Sequence, residues 1–104
     1  MWVRDWGDVA YAVGYRPTEL SRRCRTSVRT LERFSQRSEH KTLEEWLREL
    51  RLRRALILLR SGATVKEVAA ELSYKQCSHF SRQFKAFYGL PPSEISGVDA
   101  EVSI

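Results

Sequence analysis

The sequence has few cysteines, few prolines and no long apolar run, and these shortages exclude several classes of protein. Its two cysteines, Cys24 and Cys77, are far apart, and neither stands in the short paired spacing of a structural zinc site. The first residues include Asp5 and Asp8, so they fit neither a signal peptide nor a membrane span. We therefore expect reduced thiols in a soluble, intracellular protein.

Residue patterns suited to catalysis are also missing. The chain has no Ser/His/Asp set, no glycine-rich phosphate loop and no pair of carboxylates in an apolar setting. Of the two histidines, His79 has neither a carboxylate nor a second histidine at metal-ligand spacing. The sequence predicts that the protein is not an enzyme and has no cofactor and no metal site.

What the sequence does have is positive charge and enough apolar residues for one core. Its 104 residues are 42% hydrophobic, which is typical of a single globular domain. The 18 Lys and Arg residues exceed the 13 Asp and Glu residues, so the net charge is +5. This excess favours nucleic acid or an anionic surface as the partner.

Helical periodicity runs through nearly the whole chain, and hairpin turns of the Asn-Gly type are missing, so the fold class predicted is all-α. Start and stop residues divide the chain into helices. The helices expected are one through Trp2, Trp6, Val9 and Val13 to Gly14, one after Thr18, one from Ser27 to about Ser38, one from Thr42 to Gly62, one from Thr64, and one over 76–88 ended by Gly89. The tail 96–104 lacks periodicity and is expected to fray.

Two long apolar patterns predict where the core lies. The second half of the central helix is apolar nearly all round, at Leu56, Ile57, Leu58 and Leu59, so it is expected to be well buried. In the last helix the aromatic residues recur at steps of four and three, which predicts that they point inward. These are Phe80, Phe84 and Phe87.

The helices contain an internal repeat. The segment ELSRRCRTSVRTLERFS, from Glu19, matches EVAAELSYKQCSHFSRQF, from Glu67, and the second copy is one residue longer in its turn. Two short helices joined by a tight turn are the layout of a helix-turn-helix, in which the second helix enters the major groove of DNA. The predicted outward residues suit that role: a row of three arginines in the first copy, and short hydrogen-bonding or cationic side chains in the second. They are Arg29, Arg33 and Arg37, and Ser78, Ser81, Arg82 and Lys85.

The segment ATVKEVAAELSYKQCSHFSRQFKAFYGLPPSE resembles the second helix-turn-helix of the AraC/XylS family of bacterial transcription regulators. The family pattern is an aliphatic-Ala pair, a Gly-Phe turn, a Phe-Ser-Arg-x-Phe-Lys helix, then Gly and Pro. The chain places Val68-Ala69, Ser73-Tyr74, Phe80-Ser81-Arg82, Phe84-Lys85, Gly89 and Pro91-Pro92 there. ELSRRCRTSVRTLERF resembles the family's first unit, and WLRELRLRRALILL resembles its joining helix.

The resemblance implies a sequence-specific regulator that binds double-stranded DNA, with two helix-turn-helix subdomains and about seven helices in one DNA-binding domain. Its parts would be 1–40, a linker helix over 41–62, 63–95 and the tail 96–104. Two recognition helices would enter successive major-groove segments, and the protein would lie in the cytoplasm with the nucleoid. RNA polymerase and a separate effector or dimerisation domain are further expected partners. Base-reading residues would be Arg29, Thr30 and Arg33, with Gln76, Cys77, Ser78 and Arg82; phosphate contacts would be Arg37, Lys75, Ser81 and Lys85.

Four residues depart from the family pattern. Arg25 stands where the first turn usually has glycine, and Ser73 replaces the second turn's glycine. His40 falls near a usual glycine, and Ser35 stands where the repeat predicts an aromatic residue like Phe84. These departures predict that the first unit is bent differently or binds DNA more weakly.

Other interpretations remain open from sequence alone. The leucine-rich central helix would suit a protein-protein interaction module or adaptor, or a basic helix would lie on a membrane. Its apolar residues do not keep a strict heptad, which favours burial in a globular core. For His79 we expect a structural role or a position near DNA, and for Cys77 packing or a DNA contact, with redox sensing as the alternative.

Overall fold

The computed structural model describes residues 5–95, and all the regular structure in that range is helical. It confirms the all-α prediction, with six helices and a seventh, single helical turn over 92–95. The six are α1 (Trp6–Ala12), α2 (Pro17–Arg23), α3 (Val28–Glu39), α4 (Leu43–Arg60), α5 (Val65–Glu71) and α6 (Cys77–Tyr88). Trp2, which was expected to lie in the first helix, is outside the described residues. The tail 96–104, which was expected to fray, is outside them too.

The helices form two compact units that meet in sequence within α4, between Arg51 and Leu52. The first unit holds α1, α2, α3 and the start of α4, and the second holds the rest of α4, α5 and α6. The boundary falls inside the segment 41–62 that the sequence sets apart as a linker. Each unit therefore contains one of the two repeat copies.

The helix starts follow from local side-chain chemistry. Ser27 caps α3, because its Oγ accepts a hydrogen bond from the Thr30 N–H at 3.0 Å. Thr42 and Glu45 exchange bonds at the start of α4, where the Thr42 N–H donates to Glu45 Oε1 at 2.9 Å. These predicted starts are confirmed. The second helix begins at Pro17 and not after Thr18, because the fixed φ of proline suits a first helical position.

The capping box of α5 makes stability depend on pH. The Thr64 N–H donates to Glu67 Oε1 at 2.8 Å, and this bond, with the Thr64 hydroxyl, holds the pKa of the Glu67 carboxyl below its ordinary value of 4.5. Because the pKa is lower in the folded state, the ionised Glu67 carboxylate stabilises the folded protein above pH 4.5. This stabilisation is lost as the pH falls through the lowered pKa. We expect Glu67→Gln to be less stable than the parent in urea unfolding at pH 7, and the difference to shrink by pH 3. A difference of the same size at both pH values would contradict this.

The core of the first unit combines leucines with an aromatic cluster. Leu20, Leu31 and Leu43 are buried. The rings of Trp6, Phe34 and Trp46 have centroids 5.0 to 5.7 Å apart, which is the range of favourable aromatic packing. The cluster therefore ties α1 and α4 to the middle of α3.

Ser35 explains how the first unit manages without the predicted aromatic. It is fully buried, and its hydroxyl donates to the Lys41 carbonyl at 2.8 Å. This bond satisfies a polar group that would otherwise destabilise the core. The aromatic residue of α3 is Phe34, one position earlier, where it joins the cluster with Trp6 and Trp46.

The second unit is built around the last helix, and it corrects two burial predictions. Phe80 and Phe84 are fully buried as predicted, but Phe87 is 44% exposed and packs edge-on against Tyr88 at the end of α6. Ile57 is 64% exposed, and Leu56 and Leu58 are only half-buried. The buried face of α4 here recurs at steps of three and four, and Ile57 projects from its opposite side. That face consists of Leu52, Ala55 and Leu59.

Candidate nucleic-acid interface

The two helix pairs have the same dimensions. The first helix of each pair, α2 or α5, has 7 residues, and the second, α3 or α6, has 12. The connecting residues are 24–27 in the first pair and 72–76 in the second, so the second turn is one residue longer, as the repeat predicts. Both pairs have the lengths of a short helix followed by a longer recognition helix.

Both turns also close with the same hydrogen bonds. In each, three successive N–H groups bond back to carbonyls of the preceding helix, and the third spans five residues, which is the pattern of a Schellman end. The bonds of the first turn run from Cys24, Arg25 and Thr26 to Leu20, Arg22 and Ser21, at 3.0, 3.2 and 3.0 Å. Those of the second run from Leu72, Ser73 and Tyr74 to Val68, Ala70 and Ala69, at 3.0, 3.2 and 2.9 Å.

The residues that replace the glycines of the family pattern lie where the backbone is left-handed. Arg25 has φ 54° and Ser73 has φ 66° in the two turns, and His40 ends α3 with φ 59° where Gly89 ends α6 with φ 88°. The first turn keeps the conformation that glycine favours although it holds arginine. The prediction that the first unit is bent differently is therefore wrong for this turn, while weaker DNA binding stays a prediction.

These left-handed positions carry a strain that glycine would relieve. We expect Arg25→Gly to raise the free energy of unfolding by about 1 kcal/mol, because a side chain at positive φ is disfavoured. The matched control is Gln36→Gly in the exposed middle of α3, which should lower it by about 1 kcal/mol. Urea unfolding of both variants measures this. A loss of stability in Arg25→Gly would show that the Arg25 side chain contributes more than its backbone strain costs.

The outward face of α3 is basic. Leu31 and Ser35 are buried, and Arg29, Arg33 and Arg37 are all exposed in one row along the opposite side. Among residues 5–95 none of the three has an ion pair, and Glu32 is engaged by the Leu43 N–H at 3.3 Å. An open groove of about 430 Å³ borders the row; its lining includes Thr30, Arg33, Phe34, Arg37 and Ser38. The face can accept anions.

The outward face of α6 is more mixed. Cys77, Ser78, Arg82 and Lys85 are exposed, whereas Ser81 is half-buried. Lys75 and Gln76 are exposed at the end of the turn, and Gln76 caps α6 without a side-chain hydrogen bond. The residues predicted to contact DNA thus lie at the surface, Ser81 less so than the others.

The buried residues of α3 and α6 show which outward positions of the two helices correspond. Leu31 corresponds to Phe80 and Ser35 to Phe84, and both pairs are fully buried. The same offset pairs exposed residues with one another: Arg29 with Ser78, Thr30 with His79, Arg33 with Arg82, and Gln36 with Lys85. From the sequence alone no DNA contact was predicted for Gln36, and the role of His79 stayed open. The repeat places both at positions that correspond to predicted DNA contacts, His79 to Thr30 and Gln36 to Lys85.

Different contacts support α3 and α6. In the second unit, Tyr74 donates a hydrogen bond from its hydroxyl to Gln83 Oε1 at 2.6 Å, and its ring contacts those of His79 and Phe80. In the first unit Thr26 occupies the place of Tyr74, and Phe34 corresponds to Gln83 and packs against Trp6 and Trp46. A hydrogen bond in one unit thus takes the place of an aromatic cluster in the other.

The described residues form neither a metal site nor a membrane span. No three His, Cys, Asp or Glu residues within 5–95 lie where they could hold a metal ion. None of the helices described combines the length and the apolar character needed to span a bilayer. Cys24 and Cys77 are free thiols, and burial raises the pKa of the Cys24 thiol.

Comparison with known proteins places this geometry in a family. A family model described as a helix-turn-helix domain matches residues 20–96. Uncharacterized HTH-type transcriptional regulators of Mycobacterium tuberculosis and Mycobacterium bovis are each 47% identical over 51 residues, 48% of this chain and 15% of the relative. The chain therefore spans a small part of their length.

Solved structures show the same fold. A DNA-binding transcriptional dual regulator from Escherichia coli K-12 superposes with a TM-score of 0.73 over 97% of both chains, at 23% identity. A transcriptional regulator with an AraC-type DNA-binding domain from Chromobacterium violaceum has a TM-score of 0.75 over 89% of both chains, at 19% identity. The chain belongs to the AraC-type helix-turn-helix family of DNA-binding transcriptional regulators.

Proposed function

We propose that the chain binds double-stranded DNA sequence-specifically, with α3 and α6 each entering a segment of the major groove, one segment following the other. The observation that carries the proposal is the pair of matching helix-turn-helix units, each with an exposed arginine at the same outward place, Arg33 and Arg82. Arginine at that place suits bidentate recognition of guanine O6 and N7.

The row on α3 supports a polyanionic partner. Like charges four residues apart repel by a few tenths of a kcal/mol per pair, on the order of 0.2 to 0.5. Within residues 5–95 no carboxylate forms an ion pair with Arg29, Arg33 or Arg37, and phosphates would relieve the repulsion among them.

The remaining roles are those that the family resemblance implies, and all their residues except the half-buried Ser81 are exposed. Arg29, Thr30 and Arg33 would read bases in the first unit; Gln76, Cys77, Ser78 and Arg82 would do so in the second. Phosphate contacts would come from Arg37, Lys75, Ser81 and Lys85. The part 63–95 would bind as one subdomain and 1–40 as the other, with the helix over 41–62 between them.

The wider role is that of the DNA-binding part of a cytoplasmic, nucleoid-associated regulator that acts by binding and not by turnover. The relatives are much longer than this chain, which leaves room in such proteins for an effector or dimerisation domain. A contact with RNA polymerase would complete the role of a transcription regulator.

Selection of bound sites from a random duplex library tests the proposal. We expect one consensus, and for four phosphate contacts an affinity that falls by about 100-fold between 50 and 200 mM salt. Vesicles of anionic lipid are the control and should not bind comparably. Recovery of no consensus would contradict the proposal and favour the alternative, a protein-protein interaction module without sequence-specific DNA binding.

A further inference from the structure

His79 occupies a place on α6 from which a side chain can reach DNA. It is exposed, it follows the outward Ser78, and it precedes the buried Phe80. It corresponds to Thr30 of α3, one of the residues proposed to read bases. The two copies of the repeat therefore present polar side chains at the same four outward places, and His79 is the one in the second copy without an assigned role.

Tyr74 holds the side of α6 that carries His79. The Tyr74 ring lies edge-on to the imidazole, with centroids 5.7 Å apart and planes at 84°. Its hydroxyl bonds Gln83, which is one helical turn beyond His79. Tyr74 itself is only 8% exposed, so its ring is fixed by the core. A side chain restricted in this way loses less conformational freedom on binding.

We infer that His79 is a specificity-determining residue of the second unit that selects a purine, and that Tyr74 is its positioning residue. The inference rests on the proposed function. An imidazole carries at least one N–H donor in either protonation state, and every purine presents its N7 as an acceptor in the major groove. Cytosine offers no acceptor in the major groove, and thymine offers O4 but carries its C5-methyl group instead of a ring nitrogen, so a donor placed at the N7 position favours a purine.

The first test compares His79→Ala with the parent protein. We expect the variant to bind the selected site about 5- to 30-fold more weakly and to lose the purine preference at one position of the consensus, while keeping the preference assigned to Arg82. His79→Asn, which keeps a donor, should recover part of both. Because His79 is exposed, circular dichroism should show the variants to be folded.

The second test separates positioning from packing. Tyr74→Phe keeps the ring and removes the bond to Gln83, so we expect a partial loss of preference at the same base position. Gln83→Ala should do the same, and the double variant should be no worse than either single one. A change in thermal stability with an unaltered consensus would overturn the positioning role.

The outcomes distinguish the inference from the proposed function. A parent protein that selects no consensus overturns both. A parent that selects one, retained in full by His79→Ala, overturns the inference alone. Uniform weakening across all sequences would make His79 a phosphate contact and would overturn its role in specificity.

Discussion

Replacing Phe84 by alanine is expected to lower the free energy of unfolding by about 3 to 5 kcal/mol. The side chain is fully buried, and its ring packs between Phe80 and Tyr88 with centroids 5.8 and 4.8 Å away. Removing it leaves a cavity beside the rings of Phe80 and Tyr88. Urea unfolding followed by circular dichroism measures the loss.

Phe87→Ala is the matched control for that prediction. It removes the same atoms from the same helix three residues on, but Phe87 is 44% exposed. We expect the free energy of unfolding to fall by less than about 1 kcal/mol, because the ring of Phe87 packs mainly against Tyr88 and is otherwise open to solvent. Equal losses of stability in the two variants would contradict the expected effect of the difference in burial between the two rings.

Arg82→Ala is expected to cost about 1 to 3 kcal/mol of binding free energy on the selected DNA site and to relax the base preference at one position. Arg33→Ala should do the same in the other half of the site. Both residues are exposed at corresponding places on α6 and α3, so neither change should unfold the protein. Fluorescence anisotropy with the selected duplex and with single-base variants measures both effects.

Lys85→Ala is the control for specificity. Lys85 is exposed on the same helix as Arg82, and its ammonium would contact phosphate as a point charge. We expect it to weaken all sequences alike and to lower the steepness of the salt dependence by about one phosphate contact. If Arg82→Ala behaved in this way too, the base-reading role of Arg82 would be wrong.

The sequence predicted the features that depend on a few neighbouring residues. Ser27, Thr42 and Thr64 begin their helices as expected, and Gly89 ends α6, because a cap is made by bonds that span only three or four residues. The repeat likewise predicted the two matching helix pairs, because each pair is formed by a short stretch of consecutive residues.

Features that depend on packing between distant segments were not predicted. The pattern of α4 is apolar nearly all round, so it did not show that Ile57 would project away from the core. The hydrogen bond from the Tyr74 hydroxyl to Gln83 joins the turn to α6, and helical periodicity does not predict such a bond. One local feature was also mispredicted. Arginine at position 25, in place of glycine, suggested an altered turn, but the backbone hydrogen bonds of Arg25 and Thr26 hold the residue left-handed.

The cluster of Trp6, Phe34 and Trp46 has a consequence for dissecting the protein. The family match begins at Leu20. Trp6, whose ring packs against that of Phe34 in α3, lies fourteen positions before Leu20. A truncated chain that starts at the family boundary would keep α3, α5 and α6, but it would lose α1 and the first turn of α2, which begins at Pro17. The smallest fragment for isotope labelling or binding studies of that unit must therefore include Asp5, which caps α1.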